Sequence, residues 1–305
     1  MAAPSDMLAA EFETHRAHLL GVGYRLTGSR VDAEDAVQEA WLRLARLRAE
    51  DRAAIRDLRA WLTTTVGRLC LDRLRSAVAV RERYVGPWLP EPLVTSAESD
   101  ATDPLAAVVR DEGVRLAAMV VLERLTPDQR VAFVLHDAFG LPFAEVAKVL
   151  GCSTDAARQH ASRGRRIVAE ADPPARVGLG EQHRMLERFG AALASGDIAA
   201  VVELLHPDAV VIGDGGGREK TARRPVVGPD KVARFLLGLL QRYGPAQLGT
   251  AQAVLVNGDL GLLFPDFAGD EHHPPASRRV TTFAMRDGRL ATVYDIVNPD
   301  KLTGL

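Results

Sequence analysis

The chain has 305 residues, 47% of them hydrophobic and 26% charged, which suits two or three globular domains and excludes disorder throughout. Its 38 basic residues stand against 40 acidic ones, so the whole chain has no bulk attraction for nucleic acid. No apolar run approaches the roughly 18 residues of a membrane helix, the start MAAPSDMLAAEFETHR lacks a secretory pattern, and Cys70 and Cys152 make neither a disulfide framework nor a metal site. These features predict a cytoplasmic protein away from the membrane, with no cofactor and no metal.

Residues 7–76 read as a helical domain with turns near Gly28 and around Asp51. In DAEDAVQEAWLRLARL, Asp32 is the expected N-cap, and Asp35 favours the helix dipole. Val37, Ala40, Trp41, Leu44 and Leu47 recur at helical spacing as the buried stripe; Asp35, Gln38, Glu39, Arg43 and Arg46 form the polar face. From Arg56 to Arg83 seven Arg oppose three acids, a basic segment suited to phosphate contact or to a solvated face.

Residues 77–110 form a linker, broken by Pro87, Pro90, Pro92 and Pro104, in which Tyr84 and Trp88 are unusual for a spacer. Residues 111–170 are helical again. Thr126, Pro127 and Gln129 spell a capping box. FAEVAKVLG, a turn at Gly151-Cys152 and a helix capped by Ser153 describe a helix-turn-helix over 143–162. From Ser153 to Ala169 four Arg stand against Asp155 alone, and Gly164 inside this helix suggests close approach to DNA or to a neighbouring helix.

Residues 181–305 change period. Two helices, the second capped by Asp197, precede short runs such as DAVVIGD, AQAVLVNGD and LGLLFPDF, with one more helix at GPDKVARFLLGLLQ. RRVTTFAMRDGRLATVYDIV is an expected hairpin turning at Asp287-Gly288. The reading is an α+β domain on a bent antiparallel sheet. Its polar candidates are His206, Asp214, His272, Arg279, Tyr294 and Asp295; spacing does not say which face inward.

DAEDAVQEAWLRL and LRAWLTTTVGRLCLDRLR resemble region 2 of alternative sigma factors. The segment LTPDQRVAFVLHDAFGLPFAEVAKVLGCSTDAARQHASRGRRIV is similar to their region 4. The final part resembles a SnoaL-like domain of the cone-shaped NTF2-like fold. YVGPWLPEP, DGGG at 214–217 and NPDKL at 298–302 resemble the SigJ-type subgroup of extracytoplasmic-function factors. The resemblance implies a multidomain chain: two all-α sigma domains followed by an α+β regulatory domain, not itself an enzyme, so that no catalytic residues are expected.

It also assigns roles. Asp35, Gln38 and Glu39 would bind core RNA polymerase, although Asp35 could equally favour the helix start and Glu39 pair with Arg43. Trp61, Arg68, Arg73 and Arg75 would bind and melt the −10 element. Arg68 stands where many members carry Asn, which unsettles the usual base reading. Ser153, Arg158, Gln159, His160, Arg163 and Arg165 would bind the double-stranded −35 element. Tyr84, Trp88, Asp214, Gly215, Asn298 and Asp300 would make the interdomain regulatory contact, with Trp88 anchored in a pocket. The C-terminal cavity is a candidate small-molecule site, and a monomer is expected. The alternatives are a ligand-responsive one-component regulator and a SnoaL-type enzyme fused to a DNA-binding module.

Overall fold

The computed structural model describes residues 4–81, 84–95, 108–109, 112–303 and 305. The chain segregates into two compact units, one formed by residues 1–82 with 99–173 and the other by 83–98 with 174–305. Among the described residues no helix is long and apolar enough to cross a membrane.

The first unit is helical. Helix α1 (Pro4–Thr27) ends at Gly28, whose positive φ of 69° reverses the chain into α2 (Arg30–Arg46). The α1–α2 crossing is close: a Cβ on Gly23 would lie 2.9 Å from that of Ala33. The N-cap of α2 is Ser29, whose hydroxyl accepts the Asp32 N–H; Asp32 sits three residues inside the helix, which corrects the expected cap. A short α3 (Ala49–Ala53) leads to α4 (Leu58–Arg81).

Helix α4 is buried at Leu62, Thr63, Thr65, Val66, Gly67, Cys70, Leu71 and Leu74, positions that wrap more than one face. One side packs on α1 and α2. The other meets α6 (Pro127–Phe133) and α7 (Phe143–Leu150), which follow α5 (Leu116–Leu122). Gly67 makes that approach possible, since a Cβ there would lie 3.0 Å from Leu135 Cδ1 and 3.5 Å from Val149.

The capping box at Thr126, Pro127 and Gln129 forms as the sequence indicates. Gly151 closes α7 with φ 68°, and Ser153 caps α8 (Thr154–Ala171) by accepting the Ala156 N–H. Gly164 is explained by protein packing: a Cβ there would lie 3.0 Å from Phe133 Cβ and 3.3 Å from the Gln129 carbonyl on α6.

In the second unit α9 (Leu179–Ser195), α10 (Ile198–Leu204) and α11 (Pro229–Tyr243) pack on a sheet. Its strands are β1 (Val94–Thr95), β2 (Leu205–Asp214), β3 (Val226–Val227), β4 (Gln252–Val256), β5 (Asp259–Phe264), β6 (Arg279–Arg286) and β7 (Arg289–Ile296), ordered β1-β4-β5-β6-β7-β2-β3. The core joins Met185, Phe189, Val201, Val211, Val232 and Val293 from helices and sheet. The β6–β7 hairpin turns at Asp287 (φ 50°) and Gly288 (φ 69°), the expected two-residue turn.

Two features depart from the sequence reading. The sheet is mixed, because β2 runs parallel to β7 while the other pairs are antiparallel. The linker also contributes structure: Val94 and Thr95 pair with Val256 and Leu255 as an edge strand. Residues 84–95 therefore belong to the C-terminal unit.

Candidate functional site

On α2, Val31, Asp35, Gln38 and Leu42 fall on one helical face at intervals of four, three and four residues. All four are exposed, Val31 to 53% and Leu42 to 37%. The two apolar members were not singled out from sequence. Their signal was available, because they fall outside the buried stripe of Val37, Ala40 and Leu44. Glu39 lies beside this face and pairs with Arg43 at 2.9 Å. Asp35 lies 3.5 Å from Arg73, whose guanidinium also donates to the Asp32 carbonyl at 2.8 Å.

The basic residues of α4 are engaged within the same unit. Arg68 donates to the Lys148 carbonyl at 3.2 Å, and Arg75 pairs with Asp128 at 2.9 Å. Trp61 is half-buried near the start of the helix. The expected constellation of Trp61, Arg68, Arg73 and Arg75 thus does not stand as one open basic face; three of its members already hold protein partners.

Helix α8 differs. It buries only Ala157, Ala161 and Gly164, small residues that let it lie close on α6 and leave Arg158, Gln159, Arg163, Arg165 and Arg166 exposed. Gln159 and Arg163 are exposed and form no ion pair among the described residues. Arg158 pairs with Asp155 at 2.9 Å and lies 5.7 Å from the centre of the Phe143 ring. Arg165 turns back to Asp137 at 2.8 Å, and His160 is half-buried with Nδ1 enclosed. Ser153 serves as the helix cap.

In the C-terminal unit the structure gathers the linker onto one carboxylate. Asp214 is fully buried at the end of β2. Its Oδ1 accepts the Tyr84 hydroxyl and the Gly216 N–H, while its Oδ2 accepts the Leu89 N–H at 2.8 Å and the Lys301 ammonium at 2.7 Å. Such charge-assisted bonds are stronger than neutral ones, and burial removes competing water. Burial, reinforced by the Asp214 carboxylate, holds the Tyr84 phenol above its usual range.

Asn298 donates to the Tyr84 oxygen at 2.8 Å, so the phenol is held from both sides. Lys301 also donates to the Leu89 carbonyl and sits 3.8 Å over the Trp88 ring. Further along, Leu93 and Asn257 exchange bonds of 3.0 and 2.9 Å.

This clamp joins Tyr84, Trp88, Asp214 and Asn298, but two other expected members do other work. Gly215 supports its own turn by accepting the Arg218 and Glu219 N–H groups. It is Gly217, with φ 74°, that packs on the linker: a Cβ there would lie 3.0 Å from Val85 Cβ. Asp300 pairs with Arg218, which lowers its carboxyl pKa. Trp88 is half-buried; the deep anchors are Leu89 and Leu93, each 1% exposed and each worth about 1.5–3 kcal/mol of burial. Lys301 was missed because a lysine in NPDKL looks solvated until its partners, far away in sequence, are known.

Of the remaining polar candidates, Arg279 and Asp295 line a mostly apolar pocket between the helices and the sheet. His206 lies near Asp208 and Asp287, His272 is on an exposed turn, and Tyr294 is buried in β7.

Residues 12–79 match the Sigma-70 region 2 family, 115–168 the Sigma-70, region 4 family and 186–293 the SnoaL-like domain family. The chain is 54% identical over 300 residues to the ECF RNA polymerase sigma factor SigJ of Mycobacterium tuberculosis, covering 98% of this chain and 94% of that one. It is 38% identical over 237 residues to the probable ECF RNA polymerase sigma factor SigI of the same organism, covering 76% and 77%. The crystal structure of M. tuberculosis SigJ superposes with a TM-score of 0.81 at 52% identity, covering 97% of this chain and 98% of that one. With both sigma domains in order, a DNA-binding helix-turn-helix in the second and a SnoaL-like domain behind them, the chain belongs to the extracytoplasmic-function RNA polymerase sigma factors, alternative factors that direct transcription with RNA polymerase.

Proposed function

We propose that this sigma factor docks on core RNA polymerase through the α2 stripe Val31, Asp35, Gln38 and Leu42, with Glu39 at its edge. The supporting observation is the stripe itself: exposed apolar residues flank an acid and an amide on one helical face. Apolar contact supplies affinity, and the polar pair sets register against a basic partner. Promoter reading then divides between two helices. Gln159 and Arg163 of α8, with Arg158, address base edges and phosphates of the duplex −35 element. Trp61, Arg68, Arg73 and Arg75 of α4 address the melted −10 element once their internal partners are exchanged for DNA.

The C-terminal unit acts in cis by holding the linker through Asp214 and Lys301, and so adjusts how region 2 and region 4 are presented. The factor works as a cytoplasmic monomer whose chemistry is left to the polymerase.

Co-elution with purified core polymerase on a sizing column tests the docking face. The full chain is expected to co-elute, and Leu42→Asp to lose co-elution while keeping the parent's unfolding midpoint. Failure of the parent to bind, with duplex binding by α8 intact, would make a one-component regulator the better account. For the clamp, Trp88→Ala should change promoter-directed transcription about threefold or more, the effect of losing a partly desolvated cation–π contact; output equal to the parent removes the regulatory role.

A further inference from the structure

From residue 174 to 305 fifteen basic residues stand against fifteen acidic ones, so this part of the C-terminal unit is neutral as a whole. The loop that leaves β2 breaks the balance. Residues 218–224, REKTARR, set Arg218, Lys220, Arg223 and Arg224 against Glu219 alone. Two of these five charged groups are engaged within the fold: Arg218 pairs with Asp300, and Glu219 accepts the Ser277 hydroxyl at 2.6 Å. Lys220, Arg223 and Arg224 are exposed, and their side chains make no hydrogen bond or ion pair among the described residues.

The loop is anchored so that these three project outward. Thr221 donates its hydroxyl to the buried Asp295 carboxylate at 2.7 Å, and Ala222 is 5% exposed. Its neighbours in space are equally specific. Gly217 packs on Val85, and a Cβ on Gly86 would lie 3.7 Å from the Arg223 carbonyl. Val85 and Gly86 directly follow Tyr84, which Asp214 holds, and α4 ends at Arg81. Three peptide steps allow at most about 11 Å between the last residue of α4 and Tyr84. Arg75 lies about 9 Å along the axis from that end of the helix. The chain itself therefore keeps the loop within short reach of any DNA that α4 holds.

We infer that Lys220, Arg223 and Arg224 bind the phosphate backbone of the double-stranded promoter spacer, the DNA between the −35 and −10 elements, so that the C-terminal unit is a third point of DNA contact. The inference rests on the assignment of α4 to the −10 element. The loop offers cations and no aromatic ring, which suits duplex phosphates and not the stacked bases of a single strand. Lys220 to Arg224 spans at most about 14 Å, and duplex DNA presents a phosphate per about 1.7 Å of axis, so all three can be neutralised together. The contact adds affinity without reading sequence.

The test assembles the full-length factor with core polymerase and measures fluorescence anisotropy of a labelled promoter duplex from which that holoenzyme transcribes, between 50 and 200 mM salt. A duplex with a scrambled −10 element is the reference. Each of Lys220→Ala, Arg223→Ala and Arg224→Ala should reduce the steepness of log affinity against log salt by about 0.9, and the triple variant should lose about 40-fold less affinity than the parent across this range. The reduction should persist when the spacer sequence is changed, and each variant should keep the parent's thermal midpoint. Arg234→Ala removes a cation already paired with Asp230 at 2.9 Å and should leave the slope unchanged. A triple variant with the parent's slope, while the parent still prefers the intact −10 element, overturns this inference alone. A parent without that preference overturns the assignment of α4 and the inference with it. Loss of co-elution with core polymerase by the triple variant in the absence of DNA would also overturn it, by placing the loop on an acidic protein surface.

Discussion

Helix α4 is buried along eight positions from Leu62 to Leu74, whereas α8 buries only Ala157, Ala161 and Gly164. Both carry several arginines, yet the surroundings of those arginines differ. Arg68, Arg73 and Arg75 reach Lys148, Asp32 and Asp128, all on other helices of the unit. On α8, Gln159 and Arg163 face outward. The count of basic residues on a helix therefore does not report their availability; the size of the residues on its inner face does. Three small residues give α8 a narrow seam. Leucines on several sides give α4 none that is wholly free.

The largest expected effect probes the packing that encloses α4. Arg130 of α6 is 1% exposed, pairs with Glu123 and donates to the Arg25 carbonyl of α1 at 2.9 Å. Arg130→Ala should cost about 3–5 kcal/mol in urea unfolding, because a mostly buried Glu123 loses the Arg130 charge and the Arg25 carbonyl loses its donor. A loss below about 1 kcal/mol would mean that the region 2–region 4 packing is loose, and the contrast with α8 would fall.

Next comes the open helix. Gln159→Ala and Arg163→Ala should each weaken binding to a −35 duplex by about 1–3 kcal/mol. Each should leave unfolding within about 0.5 kcal/mol of the parent. A stability loss matching the binding loss would place these residues in packing, as on α4.

Arg75→Ala sharpens the comparison from the other side. The Arg75 and Asp128 side chains are 51% and 37% exposed, so their ion pair contributes about 0–1 kcal/mol. Measured stability should hardly move, as the proposed handover of this arginine to DNA requires. A loss above about 2 kcal/mol would show it to be a structural fixture.

The pH response gives the finest test. His18 of α1 receives the Arg59 guanidinium on Nδ1 at 3.0 Å and donates from Nε2 to the Thr63 hydroxyl at 2.9 Å, an arrangement that needs the neutral ring. Burial first, then the Arg59 charge, lowers its pKa from 6.5 to about 4. The unfolded chain takes up a proton near 6.5 that the native state refuses. The contribution is therefore complete above that value, falls as pH drops through the window to about 4, and changes no further below it. Urea midpoints across this window should fall in the parent and flatten in His18→Gln.

Local chemistry was readable and distant chemistry was not. The Thr126 capping box, the Ser153 cap and the Asp287-Gly288 turn each depend on residues within four positions, and each formed as the spacing indicates. The Ser29 cap was displaced to Asp32 in the reading because both residue types cap and only backbone geometry decides. The parallel β2–β7 pair joins segments about 80 residues apart, and nothing in either strand announces its partner. Tyr84 and Trp88 stood out as odd in a spacer. That Leu89, Leu93 and Lys301 would share their anchorage depends on contacts spanning from about 160 to more than 200 positions.

The linker clamp changes the arithmetic of reach. Thirty-four residues separate the two sigma domains in sequence, from 77 to 110, enough chain to extend about 110–120 Å. With residues 84–95 held on the C-terminal unit, only two residues lie between Arg81 and Tyr84, and the tether towards region 4 begins at residue 96. The twelve residues from 96 to 107, before the buried Val108 and Val109, extend about 40–43 Å at most. The clamp thus shortens the leash between the parts that read the two promoter elements. The tolerance of transcription for spacer length between those elements becomes a ruler for whether it is closed.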